Sequence, residues 1–102
     1  MATLFITGFA QEGIDALGRV VPAVKQPPVA EQTVTIGASS AQSAALNDNT
    51  TIVRLHTDSV CHVSFGSNPT ATTSNMRMGA GQTEYFIVPA GSSLKVAVIA
   101  GV

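Results

Sequence analysis

The stretch "TEYFIVPAGSSLKVAVI", residues 83–99, indicates the fold class most directly. In its second half, Leu94, Val96 and Val98 alternate with Lys95 and Ala97, and a period of two is typical of a half-buried β-strand. Between the two halves stands "PAGSS", with proline and glycine at turn positions. The stretch therefore predicts a β-hairpin with a short loop.

The same period recurs upstream. "TVTIG" places Val34 and Ile36 on one face, and the polar "NDNT" at 47–50 separates "AQSAAL" from the apolar run that follows. "TIVRLHT" and "VCHVSF" are separated by the turn signal "TDS". About six short strands without a sustained helical period predict an all-β fold, a small β-sandwich or barrel, with a jelly-roll-like arrangement as one option.

The strand "TEYFIV" carries large apolar side chains on both of its faces. Tyr85 and Ile87 share one face, whereas Phe86 and Val88 share the other. A small two-layer domain covers only one face of such a strand. We therefore expect an arm of the chain or a neighbouring subunit to cover the other face.

A neutral, hydroxyl-rich segment, "FGSNPTATTSNMRM" at 65–78, separates two of the predicted strands. Asn68-Pro69 favours turn initiation, and the threonine and serine hydroxyls can bond to loop backbone groups without adding charge. The segment predicts a structured connection across one end of the fold. A loop that contacts another protein is the alternative.

Residues 1–32 lack a sustained period and are interrupted by glycines and prolines, so we interpret them as an extended N-terminal arm, with a β-domain at 33–102. "KQPPVAEQ" predicts an extended connector between the two. An arm of this kind can add a strand to a neighbour's sheet. The partner-binding residues that it predicts are its large apolar side chains, Leu4, Phe5, Ile6, Phe9, Ile14, Leu17, Val20 and Val21.

Composition excludes several classes of partner. The chain has 102 residues, which fits one domain, and only 11% are charged, against roughly 25% in an average soluble domain. With a net charge of −1 and five scattered basic residues, we expect no nucleic-acid partner. No stretch reaches transmembrane length and "MATLFITGFA" lacks the basic segment of a secretory signal, so we expect no membrane partner. The single cysteine cannot form an intramolecular disulfide, which fits synthesis in a reducing cytoplasm.

The sequence contains no recognisable catalytic or metal-binding constellation. His56, Cys61 and His62 include zinc-ligand types, but a fourth ligand is missing and the last two, as strand neighbours, face opposite sides. Glu31 and Glu84 lack the apolar setting of a glycosidase carboxylate pair, and no Gly-x-Ser-x-Gly turn occurs. "GAGQT" at 79–83 predicts a turn without phosphate-loop spacing. We expect no enzymatic activity, no cofactor and no metal.

The segment "VRLHTDSVCHVSFGSNPTATTSNMRMGAGQTEYFIVPAGSSLKVAVI", with the leading "MATLFIT" and the junction "PPVAEQTVTI", resembles small virion proteins of tailed bacteriophages. The shared phrases are V-x-F-G-x-x-P-T-A-T, a Met-Arg step, A-G-x-x-E-Y-F and K-V-A-V-I. The resemblance implies a capsid decoration or cement protein that binds the major capsid protein shell, with self-association, in virions made in the host bacterial cytoplasm. A head-to-tail, tail or receptor- and glycan-binding virion component is the alternative.

Overall fold

The computed structural model describes residues 2–10, 12–14, 20–24, 28–89, 91 and 93–101, and for residues 12–14, 20–24 and 30 it describes the backbone alone. Within these ranges every regular element is a β-strand, which confirms the predicted all-β class. No helix in the described part of the chain is long and apolar enough to cross a membrane. The strands are β1 (Thr3–Phe9), β2 (Glu12–Ile14), β3 (Val20–Val24), β4 (Ala30–Thr35), β5 (Ala41–Gln42), β6 (Ile52–Thr57), β7 (Cys61–Gly66), β8 (Met76–Met78), β9 (Thr83–Ile87) and β10 (Lys95–Ala100).

Eight of these strands form a small sandwich of two antiparallel four-stranded sheets. Sheet 1 has the order β4-β1-β6-β9, and sheet 2 has the order β5-β10-β7-β8. The two inner faces share one core, and none of the residues buried in it is aromatic. Its buried residues are Leu4, Ile6, Val34, Ile36, Leu46, Val53, Leu55, Cys61, Val63, Met78, Val88, Val96 and Val98.

The strand order is that of a jelly roll in which the last strand has moved to the start of the chain. With β2 and β3 left out, the eight sandwich strands can be numbered from β4 as strand 1 to β10 as strand 7, with β1 as strand 8. Sheet 1 then has the strand order 1-8-3-6 and sheet 2 has the order 2-7-4-5, which is the order of a jelly roll. The two ends of the described chain also lie close together. Ile36 N–H donates to the Ala2 carbonyl at 3.0 Å, and Ala100 N–H donates to the Gly37 carbonyl at 2.8 Å.

The predicted arm is corrected at both of its ends. β1 lies inside sheet 1, paired with β4 on one side and β6 on the other, and the predicted boundary between residues 32 and 33 falls within β4. The physical reason is that Leu4 and Ile6 alternate inward into the core, while Phe5 on the opposite face makes the segment look uniformly apolar in sequence.

What remains of the arm is an excursion between two paired strands. The chain leaves β1 at Phe9 and rejoins it where Val29 N–H donates to the Gly8 carbonyl at 2.8 Å. Within the excursion, β2 and β3 pair with each other and belong to neither sheet of the sandwich. An isolated two-stranded hairpin is marginally stable in water, and the core residues described in the sandwich come from outside this segment.

The predicted hairpin at 83–99 is also corrected. β9 pairs with β6 in sheet 1, whereas β10 pairs with β7 and β5 in sheet 2. The connection crosses between the sheets and is hydrogen-bonded to residues 48–51, which precede β6. Val88 N–H donates to the Thr51 carbonyl and Gly91 N–H to the Asp48 carbonyl, both at 2.8 Å. Gly91 has a φ of 71°, a left-handed conformation that glycine adopts readily. The proline and glycine therefore mark a chain reversal, but not the pairing of the strands on either side.

One lateral edge of the sandwich is closed by side-chain bonds. The Gln32 amide accepts from Ala44 N–H at 2.9 Å and donates to the Ala44 carbonyl at 3.3 Å, which ties the sheet 1 edge strand β4 to the segment after β5. The opposite edge carries β9 and β8. Exposed apolar side chains are found there, since Met76, Tyr85 and Ile87 all lie on these two strands.

Candidate interaction surface

The residues considered for metal binding or catalysis are dispersed in the fold. Cys61 is buried in the core, His62 lies on the outer side of sheet 2, and His56 lies on sheet 1. No cluster of three or more metal-ligand residues occurs among the residues that the structure describes. Glu31 and Glu84 lie on the two opposite edge strands of sheet 1, three strand spacings or roughly 14 Å apart, so they do not form a carboxylate pair.

The segment 67–75 lies across the outer face of sheet 2. The Gln42 amide nitrogen on β5 donates to the Pro69 carbonyl at 2.7 Å and to Asn68 Oδ1 at 2.9 Å, and Ala71 N–H donates to Ser40 Oγ at 2.8 Å. Pro69 and Ala71 are buried as a result. The segment is a structured connection, as the sequence predicts, but it covers the outer face of sheet 2 and does not cross one end of the fold.

His62, on the outer side of β7, is buried beneath this connection. Its Nδ1 bonds to the Asn75 carbonyl at 2.9 Å, and because a carbonyl only accepts, Nδ1 carries the proton. Its Nε2 is buried and has no hydrogen-bond partner in the described part of the chain. Ala97, the outward residue on neighbouring β10, is also fully buried.

The outer face of sheet 1 has no comparable cover from the described residues. Antiparallel partners project to the same side of a sheet, so the register defines two complete rows across the four strands. One row places Phe5 beside His56, with ring centroids 6.1 Å apart, and His56 Nδ1 lies 2.8 Å from Thr83 Oγ1. The rows are Thr33, Phe5, His56, Thr83 and Glu31, Thr7, Arg54, Tyr85.

The most exposed part of this face is an apolar strip on β9, formed by Tyr85 and Ile87. Tyr85 is 56% exposed and Ile87 is 85% exposed, whereas Phe86 points inward and packs against Phe65 with ring centroids 5.2 Å apart. The core therefore covers one of the two apolar faces that the sequence shows on β9, and no described residue covers the other. Its cover by an arm or a neighbouring subunit stays a prediction. Exposed aromatic and aliphatic residues at a sheet edge are typical of a protein-binding surface.

The predicted partner-binding residues divide into three groups. Leu4, Ile6 and Phe9 are buried within this chain, so the prediction is wrong for them, and Phe5 alone is exposed, at 42%. The remaining predicted residues have no described side chain: Ile14, Val20 and Val21 have backbones in β2 and β3, and Leu17 lies outside the described residues.

Cys61 carries the first testable prediction. Burial raises the pKa of the Cys61 thiol, the nearby Asp58 carboxylate adds to the rise, and a hydrogen bond to Thr57 opposes it. Because the thiolate is the reactive form, we expect a bulky maleimide to label the native protein far more slowly than the urea-unfolded protein at neutral pH. Equal labelling rates in the two states would contradict the buried position.

The same shift sets a pH dependence. Since the folded state holds the thiol proton more tightly than the unfolded chain, the stabilisation is complete below the unfolded pKa and is lost as pH rises through the folded pKa. The Cys61→Ala variant should lack this alkaline loss of unfolding free energy.

No protein-family model, no curated protein and no solved structure matches this chain. The resemblance to phage virion proteins therefore rests on the quoted sequence phrases alone.

Proposed function

We propose that this chain is a structural virion protein of a tailed bacteriophage, a capsid decoration or cement protein that binds the shell of the major capsid protein. The observation that carries the proposal is the apolar strip on β9, where Tyr85 and Ile87 are exposed at the edge of sheet 1. The sequence resemblance supplies the virion context.

The contrast between the two outer faces supports a protein partner. The chain covers sheet 2 with its own segment 67–75, but it leaves Tyr85 and Ile87 in water. Burial of a large apolar side chain contributes about 1.5–3 kcal/mol, so a partner that covers both residues gains a useful part of the binding free energy. Repetition of such a contact over a symmetric shell multiplies its effect.

The shape of the surface favours a protein over a small molecule. Small-molecule sites are concave and enclose most of their ligand, whereas the strip lies on an edge strand of a sheet. The cleft lined by Leu46, Thr50, Val88 and Leu94 is too shallow to enclose a water molecule. It does not admit a ligand.

The test is co-sedimentation of the purified protein with empty shells assembled from the major capsid protein. The Tyr85→Ser/Ile87→Ser variant should remain folded and bind at least about tenfold more weakly, the equivalent of about 1.4 kcal/mol. The matched control is Thr33→Ala/Thr35→Ala on the opposite edge strand β4, where both side chains are exposed and polar; it should bind as the wild type does.

Two outcomes would overturn the proposal. Failure of the wild-type protein to sediment with shells removes the decoration role, and undiminished binding of the Tyr85→Ser/Ile87→Ser variant removes the strip as the contact. Copy number in purified particles separates the alternatives: a number comparable to that of the major capsid protein supports decoration, and a few copies per particle support a connector or tail component.

A further inference from the structure

We propose that a second copy of this chain docks face to face on sheet 1, related by a two-fold axis that runs along β1, so that Glu31 of each copy pairs with Arg54 of the other. The contact uses the outer side of β4, β1 and β6, and it is separate from the apolar strip. It does not depend on the proposed function.

The register places the two charges symmetrically about the central strand. Thr7 on β1 is opposite Glu31 on β4 and also opposite Arg54 on β6, so the three residues form one row with Thr7 in the middle. At a strand spacing of about 4.8 Å, the charged residues lie about 5 Å to either side of β1 and roughly 10 Å from each other. Within one copy, the intervening strand keeps them apart.

Both charges lack an opposite charge among the side chains that the structure describes. Neither Glu31 nor Arg54 forms an ion pair or a side-chain hydrogen bond within the described ranges, and no other acidic or basic residue lies in the two rows apart from His56. His56 is bonded to Thr83. The centre of the face therefore carries one acidic and one basic side chain, and its other residues are uncharged or bonded, with threonine the most frequent.

A half-turn about an axis parallel to β1 exchanges the two flanking strands. β4 of one copy then faces β6 of the other, so Glu31 meets the second copy's arginine at position 54, and the same contact occurs twice because a two-fold interface is self-complementary. Phe5, which is 42% exposed, lies on the axis and meets its own counterpart. Shifting the second copy sideways by one strand spacing places Thr7 opposite Arg54 and loses the direct opposition of the two charges.

The overlap leaves the apolar strip free. β9 lies beyond β6, outside the three strands that overlap, so Tyr85 and Ile87 stay accessible at the side of the pair. The overlapping patch is roughly 14 Å wide and 17 Å long, on the order of 240 Å² per copy in projection. Stable complexes bury about 800 Å² per partner, so the pair is weak in dilute solution and forms at high protein concentration.

The test is a charge exchange, measured by sedimentation equilibrium at low salt and at concentrations up to about 1 mM. The single variants E31R and R54E oppose like charges at both contacts, and each should dimerise at least tenfold more weakly than the wild type. An equal mixture of the two should form a heterodimer at least as strong as the wild-type dimer, and the double variant E31R/R54E should recover self-association.

Matched controls separate this contact from net charge. Lys95→Glu on sheet 2 changes the net charge as R54E does, and Asp48→Arg in the turn before β6 changes it as E31R does; both should dimerise as the wild type does. A wild-type protein that stays monomeric throughout the concentration range overturns the proposal, as do single variants that dimerise normally or a mixture that fails to associate. Shell binding is measured separately through the Tyr85→Ser/Ile87→Ser variant, so failure of the pair leaves the decoration proposal standing.

Discussion

Deletion of residues 2–28 is expected to abolish folding. The deletion removes β1, which forms hydrogen-bonded ladders with both β4 and β6 in the interior of sheet 1, together with the core side chains Leu4 and Ile6. Removing a central strand separates β4 from the sheet and exposes the inner face of β6. The truncated protein should show no cooperative urea transition and a disordered far-ultraviolet circular dichroism spectrum.

The matched control removes only the excursion. Replacing residues 11–27 with a short Gly-Ser linker keeps β1, and it keeps the bond from Val29 N–H to the Gly8 carbonyl that closes the β1–β4 pair. This variant should unfold cooperatively with a stability close to that of the full chain. A cooperative transition in the protein lacking residues 2–28 would show that residues 3–9 are not part of the sandwich.

Replacing Leu4 with alanine should destabilise the protein by about 2–5 kcal/mol, the range for truncating a buried leucine. Leu4 is fully buried in the core, so the substitution leaves a cavity among β-branched neighbours that have few alternative rotamers. Its neighbour Phe5 provides the control, because its side chain points outward and is 42% exposed. Phe5→Ala should cost less than about 1 kcal/mol.

Urea unfolding at equilibrium measures both variants, and the difference between them is the informative quantity. An arm outside the core would make the two substitutions similar and small, whereas a strand with alternating faces separates them by at least about 1 kcal/mol. A Leu4→Ala variant as stable as Phe5→Ala would contradict the inward orientation of Leu4.

The sequence predicts most of the strands because their side chains alternate. The predicted pattern around Val34 and Ile36, and the runs that become β6 and β7, match strands whose inward residues are buried. β1 is missed because Phe5 interrupts the expected contrast between its faces. An outward phenylalanine between two inward aliphatic residues reads as a continuous apolar run, which by itself does not specify a strand.

Pairing is harder to predict than strand position. A turn with proline and glycine specifies where the chain reverses, but the same inward residues can be buried in a hairpin or across a sandwich. The connection from β9 to β10 crosses the sandwich because the segment 46–51 supplies its backbone bonding partners. Those partners lie about forty residues earlier in the chain, where no local pattern signals them.

Of the two candidate surfaces, one is visible in the sequence and the other depends on strand pairing. The exposed face of β9 follows from the alternation of Tyr85 and Ile87 with Phe86 and is visible in the sequence. The row that holds Glu31 and Arg54 is not, because it depends on the registers of β4 and β6 against β1. A slip of one residue in either register would move one of these charges to the core face.

Ala2 and Ala100 are hydrogen-bonded to the consecutive residues Ile36 and Gly37, so the two ends of the described chain lie close enough to be joined. Joining residue 101 to residue 2 through a short linker, and removing residues 11–27 to open the chain there, gives a circular permutant that begins with β4 and ends with β1. In that permutant the strands follow one another in ordinary jelly-roll order. The native chain and the permutant bury the same core, so the excursion between β1 and β4 occupies the position where an ordinary jelly roll has its two termini.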